Sequence, residues 1–104
     1  MITSGRQEGA EIPLYTDSVT IGRAVASATW EIRLEDRAVS RPHCTIEKKP
    51  EGWVLIDLGS ANGTLVNGKS VTGSVPLSDG AVITCGQTNI LFRLGQAEAE
   101  TQVP

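Results

Sequence analysis

The residues of this chain best equipped for chemistry are basic and polar, and they stand where apolar segments end. Gly22-Arg23 closes one such segment, Ser40-Arg41-Pro42-His43 precedes a second, and Gly59-Ser60-Ala61-Asn62-Gly63-Thr64 follows a third. Two guanidiniums, a hydroxyl and a carboxamide gathered in one place make a phosphate site. The planar fork of arginine suits it by donating two parallel hydrogen bonds to phosphate oxygens. Singly, each residue is ordinary, since a lone Arg is most often a solvated charge and a Ser ahead of a strand a turn hydroxyl.

Other chemistries find less support. His43 is the one histidine, and in a strand its neighbour Cys44 would face the opposite way, which argues against a Cys-His nucleophile. His43, Cys44, Cys85 and scattered carboxylates show no metal-ligand spacing. The glycine pairs form neither GxGxxG nor a Walker sequence. Asn62-Gly63-Thr64 fits a glycosylation acceptor, yet without a secretion signal it reads as a turn. The expectation is therefore a protein that is not an enzyme and needs no cofactor or metal.

Positioning these residues requires a scaffold, and the pattern is all-β. Short apolar segments recur without a 3.6-residue period. Strands are expected over Met1 to Ser4 (weakly marked), Ile12 to Tyr15, Val19 to Gly22, Glu31 to Leu34, His43 to Lys48, Trp53 to Leu58, Thr64 to Val66, Val75 to Leu77, Ala81 to Cys85 and Thr88 to Leu94. The Trp53 strand has apolar residues on both faces, so it is expected to be central and covered on both sides. Asn62-Gly63, Asn67-Gly68, Asp79-Gly80 and Gly86-Gln87 separate the later strands as turn pairs. Such spacing implies a sandwich or barrel, and in a sandwich the inter-strand loops can converge at one end.

With 104 residues there is room for one domain, expected over residues 1–95, followed by an Ala/Glu-rich tail or linker over 96–104. Cys44 and Cys85 read as buried free thiols, with a single disulfide as the alternative. The N-terminal stretch carries Arg6, Glu8 and Glu11, which fits no secretory signal. The longest strongly apolar run, Trp53 to Ile56, is far short of the roughly 20 residues that span a bilayer. A cytoplasmic protein is expected, or the cytosolic domain of a larger one. The formal charge is −3. Without tail residues Glu98 and Glu100, ten acids face nine bases and the net is −1. That balance excludes a broad polyanion such as DNA and leaves room for a single phosphate beside Arg23 and Arg41, with Arg37 or Lys69 nearby.

The ordered set Gly22-Arg23, Ser40-Arg41-x-His43, Asn62-Gly63-Thr64 and Asn67-Gly68 closely resembles the forkhead-associated (FHA) domain, from about Gly9 to Leu94. The resemblance implies an FHA-type β-sandwich of about eleven strands that binds phosphothreonine peptides through loops at one end. By the same resemblance Arg23 contacts the phosphate, Ser40 donates its hydroxyl to it, Arg41 adds a second polar contact, and Asn62 bonds the peptide main chain. Ser60, Ala61 and Gly63 form a second tier of candidate contacts. Gly22 is read as a tight turn aiming Arg23, His43 as a tie within the recognition loop, and Asn67 and Gly68 as shape-setting turn residues. One departure is Ala61, where the family often has Thr or Ser. It implies weaker phosphate binding, with Ser60 as a partial substitute.

The implied partner is a phosphothreonine protein or peptide, a Ser/Thr kinase or its substrate, in signalling through protein–protein interaction. Thr101 in the acidic tail is a candidate ligand of its own domain if phosphorylated. Neither nucleic acid nor membrane insertion is expected. The competing readings are an FHA-like domain that docks through a non-phosphorylated surface, and a carbohydrate-binding sandwich. The latter would need exposed rings, and only Trp30 among Tyr15, Trp30, Trp53 and Phe92 is a candidate.

Overall fold

A computed structural model describes residues 2, 3, 9 and 16–94. The expected strand Ile12 to Tyr15 and the tail with Thr101 lie outside the described residues. Those described form nine strands: β1 (Ser18–Arg23), β2 (Ile32–Leu34), β3 (Cys44–Lys49), β4 (Gly52–Asp57), β5 (Thr64–Val66), β6 (Lys69–Ser70), β7 (Ser74–Pro76), β8 (Val82–Cys85) and β9 (Thr88–Leu91). Ile2 adds an isolated bridge to Ile90. The family count of about eleven thus compares with nine strands and a bridge. The strand β6, two exposed residues long, has no apolar period that sequence could reveal.

Two sheets form, one ordered β2-β1-β3-β4-β7 and the other β6-β5-β8-β9. β1 alternates because Val19 and Ile21 point into the core, as do Cys44 and Ile46 of β3 beside them. Leu55 of β4 belongs to the same buried cluster as Ile83 and Ile90 of the second sheet. Burying side chains of this kind contributes roughly 1.5 to 3 kcal/mol each. Cys44 and Cys85 lie fully buried as free thiols, one from each sheet, with sulfurs 3.7 Å apart.

Strand β4 corrects one expectation. It does run inside its sheet, between β3 and β7, but only Leu55 is fully buried, while Val54 and Ile56 are half-buried and Leu58, just past the strand, is 44% exposed. Among the described residues no third layer covers the outer face of the five-stranded sheet, so the apolar residues there are only half-buried.

Register decides where the loops fall. β1 and β2 run parallel, with Arg23 opposite Leu34 at their C-terminal ends. Ile21 pairs with Cys44, and Cys44 with Asp57, so β3 begins and β4 finishes at that same end. In the second sheet Thr64 pairs with Cys85 and Cys85 with Thr88, which places the start of β5 and the β8–β9 turn together. Segments 36–43 and 58–63 therefore meet beside Arg23. At the other end of β5, Asn67 (φ 53°) and Gly68 (φ 82°) form the hairpin turn, both in the left-handed region that a type I′ turn requires. Asn67 Oδ1 also accepts the Val82 amide at 2.9 Å.

Candidate functional site

Arg23 is held by its backbone on two sides. Its amide donates to Ser40 O at 3.0 Å, and its carbonyl accepts Trp30 Nε1 at the same distance. The guanidinium is far less committed. Nη1 makes a long 3.3 Å bond to Arg37 O, and Nε is buried without a partner. The ion pairs among the described residues are Lys49–Glu47 and Arg93–Asp79, so no carboxylate there answers Arg23, Arg37 or Arg41. Arg41 is exposed on the neighbouring loop.

Gly22 departs from the expected tight turn. It lies within β1, and its value is the missing side chain: a Cβ there would stand 2.8 Å from the Trp30 ring and 3.1 Å from Pro42 Cα. Trp30 is thereby half-buried against Gly22 and hydrogen-bonded to Arg23, which removes it as a sugar platform. Trp53 and Phe92 pack edge to face at 6.0 Å.

His43 ties the two loops. It is fully buried, Nδ1 accepts the Ser40 amide at 3.0 Å, and Nε2 sits 2.9 Å from Gly63 O. Because Nδ1 accepts, the ring proton resides on Nε2 and is donated to Gly63. Ser40 Oγ accepts the Ala61 amide at 2.9 Å, and Asn62 Nδ2 donates to Ala38 O at 2.8 Å. Four residues expected at a site from sequence (Ser40, Ala61, Asn62 and Gly63) are thus linked across the loop boundary. Ser40 Oγ is the acceptor in the bond to Ala61, so its hydroxyl hydrogen is available to a further acceptor.

Two expectations need revision. Ser60 donates its hydroxyl to Asp57 Oδ1 at 2.6 Å, so it is engaged below the loop rather than offered as a substitute for the missing Ala61 hydroxyl. Lys69 pairs with Val66, at the end of β5 away from Gly63, and does not join the arginines.

Two carboxylates that belong to none of the sequence motifs organise the loops. Asp57 accepts from the Ser60 and Thr64 hydroxyls and from the Gly59 and Ser60 amides. Burial pushes its carboxyl up, but these donors outweigh that and hold it below the usual carboxylate range. Asp36 behaves likewise, with burial opposed by the Thr88 hydroxyl and the Ala38 and Gln87 amides as donors. Asp57-Leu58-Gly59-Ser60 carried a signal, an Asp whose side chain caps the turn that follows. Among the described residues no group of three or more His, Cys, Asp or Glu could hold a metal ion, and no helix is long and apolar enough to cross a membrane.

Two packed sheets with a cross-linked polar loop cluster at one end define a β-sandwich of the recognition-module kind. The family model described as FHA domain matches residues 19–86, and the chain belongs to the FHA domain family, whose members are binding modules. It is 34% identical to the FHA domain-containing protein FhaB of Mycobacterium tuberculosis over 93 residues, which is 89% of this chain and 58% of that protein. The solution structure of an FHA domain from an Arabidopsis thaliana hypothetical protein superposes with a TM-score of 0.80 at 36% identity, covering 88% of this chain and 80% of that one. Mycobacterium tuberculosis EmbR in complex with a low-affinity phosphopeptide gives a TM-score of 0.72 at 30% identity, over 79% of this chain and 21% of that one. The chain therefore spans about half of FhaB and a fifth of EmbR.

Proposed function

We propose that this domain binds phosphothreonine in partner proteins and so makes protein–protein contact depend on phosphorylation. The observation that carries the reading is Arg23. A buried donor left unmet inside a protein is rare, and here it belongs to a guanidinium with no ion-pair partner, on a residue whose amide is bonded to the Ser40 carbonyl, next in sequence to the exposed Arg41. A phosphothreonine brings about −1.5 to −2 charge and three strong acceptor oxygens. In this reading Arg23 and Arg41 offset the charge, Ser40 donates its hydroxyl, and Asn62, with its Oδ1 still open, aligns the peptide main chain. His43, Asp57 and Asp36 hold the loops without touching the ligand. Ala61 contributes its amide to Ser40 in place of a side-chain contact.

The family of binding modules and the scarcity of catalytic groups support a non-enzymatic role. Residues 1–95 would be the recognition unit and 96–104 a linker, in the cytoplasm or on a cytosolic part of a larger protein. The partner class is a Ser/Thr kinase or its substrate, and Thr101, if phosphorylated, would compete from within the chain. One methyl in a snug niche favours phosphothreonine over phosphoserine by about 0.8 kcal/mol, roughly fourfold.

The test is calorimetric titration with a phosphothreonine peptide and its unphosphorylated twin. Charge-assisted bonds of about 1.5 to 3 kcal/mol each imply a tenfold to hundredfold loss for Arg23→Ala or Ser40→Ala. Undiminished affinity in either folded variant, or equal binding of the two peptides, would overturn the assignment.

A further inference from the structure

Asp36 opens the 36–43 loop, and its bonds reach in two directions. Oδ1 accepts the Ala38 amide at 2.9 Å, within its own loop. Oδ2 accepts the Gln87 amide at 2.7 Å, from the β8–β9 turn, and the Thr88 hydroxyl at 2.8 Å, from the first residue of β9, both in the opposite sheet. That turn presses directly on the loop: a Cβ at Gly86 would stand 2.9 Å from Ala38 Cβ and 3.0 Å from Asp36 Oδ2. Above the same point, Ala38 O receives the Asn62 side chain. Ala38 is thus fixed from below by one turn and from beside by the other loop, two residues before Ser40.

We propose that Asp36 is a positioning residue for phosphopeptide binding, which through Gln87 and Thr88 uses the second sheet as the floor that sets the place of the Ser40 hydroxyl. This rests on the phosphothreonine reading above. The physical reason is preorganisation. A loop anchored only at its two ends in the first sheet must be ordered when ligand arrives, and that ordering subtracts from affinity. A loop bonded in advance to a second, independently packed sheet has already been ordered during folding. Asp suits the place better than Asn because all three facing groups are donors as drawn, and a carboxylate offers only acceptors.

Asp36→Asn separates the two directions. The amide keeps one oxygen, enough for either Ala38 or the β8–β9 turn, and presents an NH2 to donors on the other side. Thr88→Val, an isosteric change, removes one donor from the floor and leaves Asp36 in place. The probe is a degenerate nonapeptide pool with phosphothreonine fixed at its centre. Asp36→Asn is expected to weaken its binding about tenfold and Thr88→Val about threefold. In the ligand-free protein, Asp36→Asn should speed hydrogen exchange of the Ser40 and Ala61 amides at least tenfold while the amides of the β3–β4 ladder stay unchanged. Uniformly faster exchange, unchanged affinity, or lost affinity with undisturbed Ser40 and Ala61 amides would each overturn the proposal. If Asp36→Asn does not fold, Thr88→Val decides by the same two readouts. Failure of the wild-type domain to prefer the phosphorylated pool would refute the phosphothreonine reading instead, and the exchange pattern, which needs no peptide, still shows whether Asp36 holds the loop.

Discussion

Replacing His43 by alanine should weaken the fold and the site together, and the structure allows both effects to be sized. The imidazole is fully buried and bridges the Ser40 amide and the Gly63 carbonyl. Alanine strands both groups. Each lies in a half-buried residue that water can partly reach, so about 1 kcal/mol apiece is the appropriate figure, toward the low end for unmet buried groups. Emptying most of an imidazole's volume adds about 2 kcal/mol. The sum of about 4 kcal/mol is a large part of the roughly 5 to 15 kcal/mol that stabilises a domain, and at about 4 °C per kcal/mol it lowers the melting temperature by roughly 15 °C. Affinity should fall about tenfold in addition, because loops 36–43 and 58–63 would then be ordered at the expense of binding. Differential scanning calorimetry and peptide titration of the same sample read both. Lost affinity with an unchanged melting temperature would refute the reasoning, since it would make His43 a direct contact rather than a tie.

Gly22→Ala should destabilise by about 1 to 3 kcal/mol, the usual range for overpacking, because its new methyl meets the Trp30 ring at 2.8 Å; chemical denaturation measures it. The Asp36 and Asp57 carboxyls are depressed in the folded protein, so their contribution is present above the unfolded value near pH 4 and lost as pH falls through the folded values. Thermal melts from pH 7 to pH 2.5 should therefore show stability falling below about pH 4, with a shallower fall in Asp57→Asn. The Cys85 thiol beside it and burial raise Cys44 far above the ordinary thiol range, which suppresses the reactive thiolate there, and Cys85 is fully buried, so Ellman's reagent should label neither cysteine until denaturant is added.

How much of this was legible in sequence varies with the range of the interaction. Strand positions followed from alternation at Val19 and Ile21 or Cys44 and Ile46, because burial on one face writes a period of two into the chain. At Gly22 the sequence alone is ambiguous, because glycine permits both positive φ and close approach, and only the distant Trp30 and Pro42 decide between them. The engagement of Ser60 was in principle readable, since Asp57 stands three residues earlier. Asp36 was not: its partners Gln87 and Thr88 arrive from the other sheet, and nothing local announces them.

The balance of polar groups at this end of the sandwich also resolves the apparent conflict between an acidic chain and an anionic ligand. Asp36 and Asp57, at the starts of the two loops, have their oxygens engaged by amides and hydroxyls from within the protein. Their charge is taken up in shaping backbone instead of pairing with arginine. Arg23 is consequently left with no ion-pair partner and one buried nitrogen unmet among the described residues. Long-range attraction scales with net charge and is screened within roughly 8 Å at physiological salt, so a body near neutrality draws in polyanions weakly. Short-range recognition depends on which donors remain unsatisfied, and here those are a guanidinium and a hydroxyl. On the phosphothreonine reading, selectivity for one phosphate over a polyanion thus rests on internal pairing of the acids, not on a surplus of bases.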